Sequence, residues 1–290
     1  MSKNVDARPP VTVDVPGARS WLFVPGDRGD RFAKAAASGA DVVVCDLEDA
    51  VAAVAKESAR AEVARWLGAG GVACVRINAR GTPFHDADVS ALSGVRGLRA
   101  VMLPKAEDPR ALGELSDALG TDTAVVALVE TALGLHRAYD LASAHGVARL
   151  AFGSIDFALD LGAEETPTSM LFARSSLVVA SRAARVAAPI DGVTVALDDP
   201  SVVEADAATA AGLGFGGKLC VHPRQVSAVN AAFNPGAEEV RRARRILDSV
   251  TDGGAGRLDG QMIDRPVVER ARLILRRAGV EPAPDDRRRS

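Results

Sequence analysis

Aromatic side chains are scarce: Phe, Trp and Tyr together make up 4% of the 290 residues. Any core must be packed with small aliphatics, and at 48% hydrophobic residues there are enough of them for a large one. The chain lacks a run approaching the roughly 20 apolar residues of a membrane span. Its polar, Pro-containing start, MSKNVDARPPVTVDVPG, does not read as a secretion signal. Only three cysteines are present, Cys45, Cys74 and Cys220, each inside an apolar run. That excludes a disulfide framework or a cysteine metal cluster and predicts reduced core residues. A positive excess is also missing: the net charge of −3 argues against a general nucleic-acid binder. The expectation is a cytoplasmic protein with neither a membrane nor a nucleic-acid partner.

What is present is a regular alternation. After an arm over residues 1–18, expected to be disordered or loosely attached, apolar strand-like runs recur with helical patterns between them. The runs are SWLFVPG, ADVVVCDLEDAV, GVACVRIN, AVMLPK, TAVVALVE, ARLAFGSID, GVTVALDD and GGKLCVHP. Intervening helices are predicted over Ala53–Leu67 (Lys56, Arg60 and Arg65 outward), Pro109–Leu119 capped by Asp108, 131–146, Phe172–Ala187 after a loop over Leu159–Met170, and Val202–Leu213. Eight such units favour closure into an α/β (β/α)₈ barrel over residues 19–233. From residue 234 to 280 the pattern changes: a charged helix over Pro235–Val250, a Gly-rich loop TDGGAGRLDGQ, a short strand Met262–Asp264 and a last helix Arg265–Ala278. An appendage on a Gly-rich hinge is a candidate lid. Residues 281–290 read as a disordered tail.

Two runs each end in one carboxylate. Thr123–Glu130 closes on Glu130 and Ala148–Asp156 on Asp156. Unalternating Ala, Val and Leu suit strands buried on both faces. Both acids are therefore expected at the carboxyl ends of consecutive parallel strands, where such folds collect their ligands. Two carboxylates converging there would supply half of an oxygen shell for Mg²⁺. Alternatively, each caps a helix.

The segments RSWLFVPGDR, ADVVVCDLEDAV, VRINARGTPF, MLPKAED, ALVETALGL, FGSIDFALDLG, GFGGKLCVHPRQV and GQMIDRPVVERAR resemble, in order from Arg19 to Arg272, the citrate lyase β-subunit and malyl-CoA lyase-like family of the HpcH/HpaI aldolase superfamily. The resemblance implies a TIM barrel with a C-terminal helical extension, assembled as a homotrimer or hexamer. It implies a Mg²⁺-dependent (Mn²⁺ is also suitable) carbon–carbon lyase joining or parting an acyl-CoA and a 2-oxo acid. Malyl-CoA- or citramalyl-CoA-like esters are the expected substrates, with coenzyme A part of the substrate.

The same resemblance assigns Glu130 and Asp156 to the metal, Glu130 touching substrate as well. Arg76 can clamp an oxyanion or carboxylate bidentately, or serve as a structural ion pair. Glu48 and Asp49 can orient metal-bound waters or Arg76, or only cap the next helix. Asp46 reads as structural. Asp264, in QMIDRP, matches the acid–base aspartate that related enzymes carry on the extension; Arg265-Pro266 also makes it a candidate helix cap. Phe23, Arg28 and Lys34 match CoA-contacting positions. Lys218 and His222 are expected to pack rather than react. The rival functions are a citrate lyase β subunit working with α and acyl-carrier subunits, a 3-hydroxyacyl-CoA thioesterase, a barrel that binds without turnover, and a Mg²⁺ aldolase of free oxo acids.

Overall fold

The computed structural model of the chain describes residues 14–249, 256–258 and 261–280. The expectations for 1–13, 250–255, 259–260 and 281–290 fall outside them. Two compact units divide between Asn230 and Ala231. Among the described residues no helix is long and apolar enough to cross a membrane.

In the first unit eight parallel strands close into a barrel in sequence order: β1 Ser20–Pro25, β2 Val42–Asp46, β3 Ala73–Arg76, β4 Leu98–Leu103, β5 Ala124–Val129, β6 Val147–Phe152, β7 Ile190–Asp191 and β8 Gly217–Cys220. The helices between and after them are α1 Phe32–Ala36, α2 Lys56–Gly68, α3 His85–Leu92, α4 Pro109–Leu119, α5 Ala132–His136, α6 Ala138–Ala142, α7 Ser154–Leu161, α8 Pro167–Ala183, α9 Pro200–Leu213 and α10 Val226–Ala232. Side chains alternate across a strand, so every second residue points inward. Those positions hold Trp21, Val42, Val44, Cys74, Ala100, Met102, Val126, Leu128, Ala151, Ile190 and Leu219, one buried cluster of mostly small residues. The same period carried one step further up the staves reaches Phe23, Asp46, Arg76 and Glu130, where the core gives way to polar groups.

Helix starts follow local chemistry. Asp108 accepts from Arg110 N ahead of Pro109, and Asp199 accepts from Ser201 N ahead of Pro200. In each case the side chain satisfies an N–H left free in the first turn, and Pro removes another. A reciprocal Thr166–Ser169 capping box starts α8 at Pro167, five residues before the expected Phe172. The helix expected over 131–146 is two short ones that meet at Arg137.

Other expectations need correction. Residues 14–18 are not a loose arm: Val15 and Ala18 are buried in the barrel cluster. The buried Arg149 guanidinium donates to Val15 O (3.2 Å), Ala18 O (2.6 Å) and Ala188 O (2.7 Å) and lies over the Trp21 ring. Burial pulls Arg149 down to about 9, against the opposing pull of Asp14. Lys56 is not outward. It is buried and donates to Leu47 O and Glu48 O, both at 2.7 Å. Arg60 likewise turns in, onto the fully buried Asp88 at 2.7 Å.

The expected strand GVTVALDD is not one, since β7 ends at Asp191. The carbonyls of Thr194 and Ala196 accept from Gln225 Nε2 (2.7 and 3.4 Å), not from β8. Gly192 passes Ser154 so closely that a Cβ would meet Ser154 Oγ at 2.4 Å. Lys218 and His222 pack as expected: Lys218 Nζ donates to Asp191 Oδ2 and Gly192 O, and His222 Nδ1 accepts from Arg224 N.

The second unit holds α11 Ala237–Asp248, an antiparallel hairpin of β9 Gly256–Leu258 and β10 Gln261–Ile263, and α12 Arg265–Arg277. Residues 256–258, expected in the Gly-rich loop, are thus a strand. Ala243, Ile246, Ile263, Ala271 and Leu275 form the unit's own core.

Candidate active site

The carboxyl ends of the staves surround a cavity of about 430 Å³. Its apolar wall is Phe23, Leu128, Phe152, Val193 and Leu219. Its polar side carries Asp46, Asp49, Arg76, Glu130, Ser154 and Asp156.

Asp46, the last residue of β2, is the anchor. Its Oδ1 and Oδ2 accept from Arg76 Nε and Nη2 at 2.8 and 2.6 Å. The same carboxylate accepts from the backbone N–H of Glu48 and Ala50. Lys56 holds the carbonyls of the same turn from below. Side chain and buried ammonium therefore fix the loop that presents Glu48 and Asp49. The guanidinium also stacks over Phe23 at 4.8 Å. Burial works against the charge on Arg76, but Asp46, joined by Glu48 and Asp49, outweighs it and raises Arg76 above its usual value. With Nε and Nη2 held, Nη1 faces Glu48 Oε2 (3.1 Å) and Asp49 Oδ2 (3.6 Å). Both readings of Arg76 meet here: it is ion-paired, and it lines the cavity.

Glu48 is buried, and its Oε1 accepts from Lys105 Nζ at 3.0 Å. Its Oε2 is a buried acceptor without an aligned donor, although Arg76 is near. Burial raises the Glu48 carboxyl above the usual range, against the pull of Arg76. Asp49 is mostly exposed at the cavity mouth.

Glu130 directly follows β5 and is 2% exposed. Its Oε1 accepts from the backbone N–H of Lys105 at 2.8 Å. Its Oε2 lies against Gly153, where a Cβ would meet it at 2.4 Å. Burial first, then repulsion by Glu48 and Asp156, pushes Glu130 up to about 8 despite the Lys105 N–H. Asp156 does not end strand six as expected. β6 stops at Phe152 and Asp156 sits in the first turn of α7. It still lines the same cavity as Glu130, and a helix N-terminus favours a carboxylate there.

A divalent ion in this cavity would meet these donors. They are carboxylate oxygens alone, the hard set that suits Mg²⁺ or Mn²⁺ and not Zn²⁺. Among the described residues no group of three or more His, Cys, Asp or Glu is arranged to hold a metal. Glu130 and Asp156 would therefore act as a pair, with substrate and water completing the shell. The buried, donorless Glu48 Oε2 fits that picture, because a metal-bound water can donate to it. The residues fit the ion.

Two of the remaining expected residues of the first unit, Arg28 and Lys34, do not line the cavity. Arg28 is half-buried and paired with Asp30 at 3.1 Å, and Lys34 is exposed on α1. Asp264 belongs to the second unit, where it is exposed and caps α12, accepting from Val267 N. Sequence reasoning missed Lys105 and Ser154. Ser154 lines the cavity and donates to Glu165 Oε1 at 2.5 Å. The signal for Lys105 was its place at the end of the MLPK run.

The family described as HpcH/HpaI aldolase/citrate lyase matches residues 19–223. A "citrate lyase subunit beta-like protein" of Deinococcus radiodurans is 37% identical over 275 residues, 89% of this chain and 96% of that protein. One of the same description from Mycobacterium tuberculosis is 38% identical over 268 residues, 89% and 95% of the two chains. The crystal structure of CitE from Mycobacterium tuberculosis in complex with magnesium, acetoacetate and coenzyme A is similar at a TM-score of 0.81 and 36% identity. It covers 91% of this chain and all of that one.

Proposed function

Because the chain belongs to the HpcH/HpaI aldolase/citrate lyase family, we propose that it is a Mg²⁺-dependent acyl-CoA lyase, making or cleaving the C–C bond between an acyl-CoA and a 2-oxo acid, with malyl-CoA- or citramalyl-CoA-like esters as substrates. One observation carries the reading. Glu130 and Asp156, from consecutive βα units, line one cavity with Arg76.

In this reading Glu130, through Oε2, and Asp156 hold the ion. When bound, it supplies Lewis acidity to the carbonyl or hydroxyl oxygen and to the carboxylate of the oxo acid. Glu48 and Asp49 orient water around it and keep the Nη1 edge of Arg76 aimed at the cavity. Arg76 meets developing negative charge on the substrate with that edge. The wall of Phe23, Leu128, Phe152, Val193 and Leu219 excludes water from the reacting carbons, so these charges act in a poorly screened space. Asp264 moves the proton at the α-carbon of the acyl group, a role that rests on the QMIDRP resemblance. Arg28 and Lys34 pair with CoA phosphates, and Phe23 packs on the ester. A homotrimer or hexamer, measured by light scattering, belongs to the same reading.

The test is a panel of 3-hydroxyacyl-CoA thioesters, malyl-, citramalyl- and citryl-CoA among them, assayed with Mg²⁺. Free CoA and 2-oxo acid are followed separately. Release of oxo acid with intact acyl-CoA supports the lyase. Release of CoA without oxo acid supports a thioesterase. Turnover of free hydroxy acids alone would overturn the reading.

A further inference from the structure

Lys105 is one of two residues other than glycine, among those described, with a positive φ; the other is Arg185. The left-handed region at φ +49° is disfavoured for a Lys side chain by about 1 kcal/mol. That conformation has a consequence in space. It turns the chain from the end of β4 across the top of β5, where the next residue, Ala106, donates its N–H to Leu128 O at 3.1 Å. The turn brings two positive groups of one residue to one carboxylate. The Lys105 backbone N–H lies 2.8 Å from Glu130 Oε1. Its ammonium reaches back to 3.9 Å from the same oxygen and to 3.0 Å from Glu48 Oε1. Glu48 and Glu130 are both buried and repel each other.

We propose that Lys105 is the resident counter-ion of the Glu48–Glu130 pair: its ammonium holds the two carboxylates together in the metal-free protein and opposes the dication that Glu130 and Asp156 bind. The proposal rests on the reading of those two acids as metal ligands. Lys105 is a positioning residue. Its N–H occupies Oε1 of Glu130 and leaves Oε2, over Gly153, for the ion. Its charge holds a site of five acids (Asp46, Glu48, Asp49, Glu130, Asp156) and two cations (Arg76, Lys105) below its full attraction for a dication. The ion then stays exchangeable between turnovers.

The experiment is calorimetric titration of Mg²⁺ into EDTA-stripped, full-length protein without substrate. It is run at about pH 9, above the range in which these carboxylates take up a proton. Wild type is compared with Lys105→Met, Lys105→Arg and Lys105→Gly. Lys105→Gly accepts the left-handed backbone and keeps the N–H, so it separates charge from local geometry. A unit charge a few ångströms from a dication in a partly exposed site should change affinity by about three- to tenfold. Lys105→Met and Lys105→Gly are expected to bind Mg²⁺ more tightly by that factor, and Lys105→Arg to match wild type. The two neutral variants should also melt earlier than wild type without Mg²⁺ and gain more from its addition. A structural defect would weaken binding, so tightening distinguishes the charge role. Unchanged or weaker Mg²⁺ binding by both neutral variants, with wild type binding normally, overturns the proposal alone. No Mg²⁺ binding by wild type overturns it together with the reading of Glu130 and Asp156.

Discussion

Asp46 holds Arg76 by two parallel hydrogen bonds of 2.8 and 2.6 Å, and both side chains are at least seven-eighths buried. The pair joins the ends of β2 and β3 and sets which edge of the guanidinium reaches the cavity. Replacing Asp46 with Asn leaves a buried cation short of its partner. The expected loss is about 3 kcal/mol of unfolding free energy, read from urea midpoints. Turnover should fall as well, because Arg76 loses the anchor on Nε and Nη2 that fixes which edge reaches the cavity.

Glu130→Ala and Asp156→Ala should each lower kcat by about a hundredfold or more. Both should abolish the stabilisation by Mg²⁺ in a thermal melt. A variant that kept full Mg²⁺ stabilisation would remove that residue from the metal site.

Gly153→Ala tests the same oxygen without touching a carboxylate. The new Cβ would lie 2.4 Å from Glu130 Oε2 and 2.6 Å from Glu130 Cβ, so the side chain must move. Mg²⁺ affinity should drop by about tenfold, with a folding cost of about 1–3 kcal/mol from overpacking. Titration calorimetry and urea unfolding read the two effects separately.

The raised Glu130 carboxyl gives a pH dependence with a definite sign. Its folded value of about 8 lies above the unfolded value of 4.5, so the folded state holds the proton more tightly. The associated stability is fully present below about pH 4.5 and is lost as pH rises through about 8. Metal-free protein should therefore weaken from about pH 5 to about pH 9. Glu130→Gln should flatten that slope, and Mg²⁺ should offset it most at the alkaline end. Urea midpoints in EDTA, with and without added Mg²⁺, measure it.

Much of this was legible in the sequence. Seven of the eight apolar runs became staves and the other, GVTVALDD, did not, while Asp108 was read correctly as the cap of α4 and α9 starts at Pro200, two residues before the expected Val202. Glu130 could be found because it ends an unbroken apolar run. Asp156 was found as a residue but misplaced, since Gly153 breaks β6 and the carboxylate rides on the helix beyond. Lys56 read as surface because a lysine's role depends on where carbonyls collect, here those of Leu47 and Glu48. Lys105 could be placed at the end of the MLPK run but its role could not be read, because no sequence pattern marks a lysine with left-handed backbone. The Val193–Leu197 segment alternates like a strand, yet Gln225, distant in sequence, takes its carbonyls.

The brevity of β7 makes the barrel wall uneven. β6 and β7 share the single register pair Ala151–Ile190, and β7 and β8 share two. Where other staves are laced by backbone, this seam is fastened by side chains: Lys218 and Arg174 on Asp191, and Gln225 on the stretch after it. Amide protons should therefore exchange with solvent soonest beside this clasp, ahead of the β1–β5 staves. Because Val193 belongs both to the clasp and to the cavity wall, loosening the fastening widens the chamber itself.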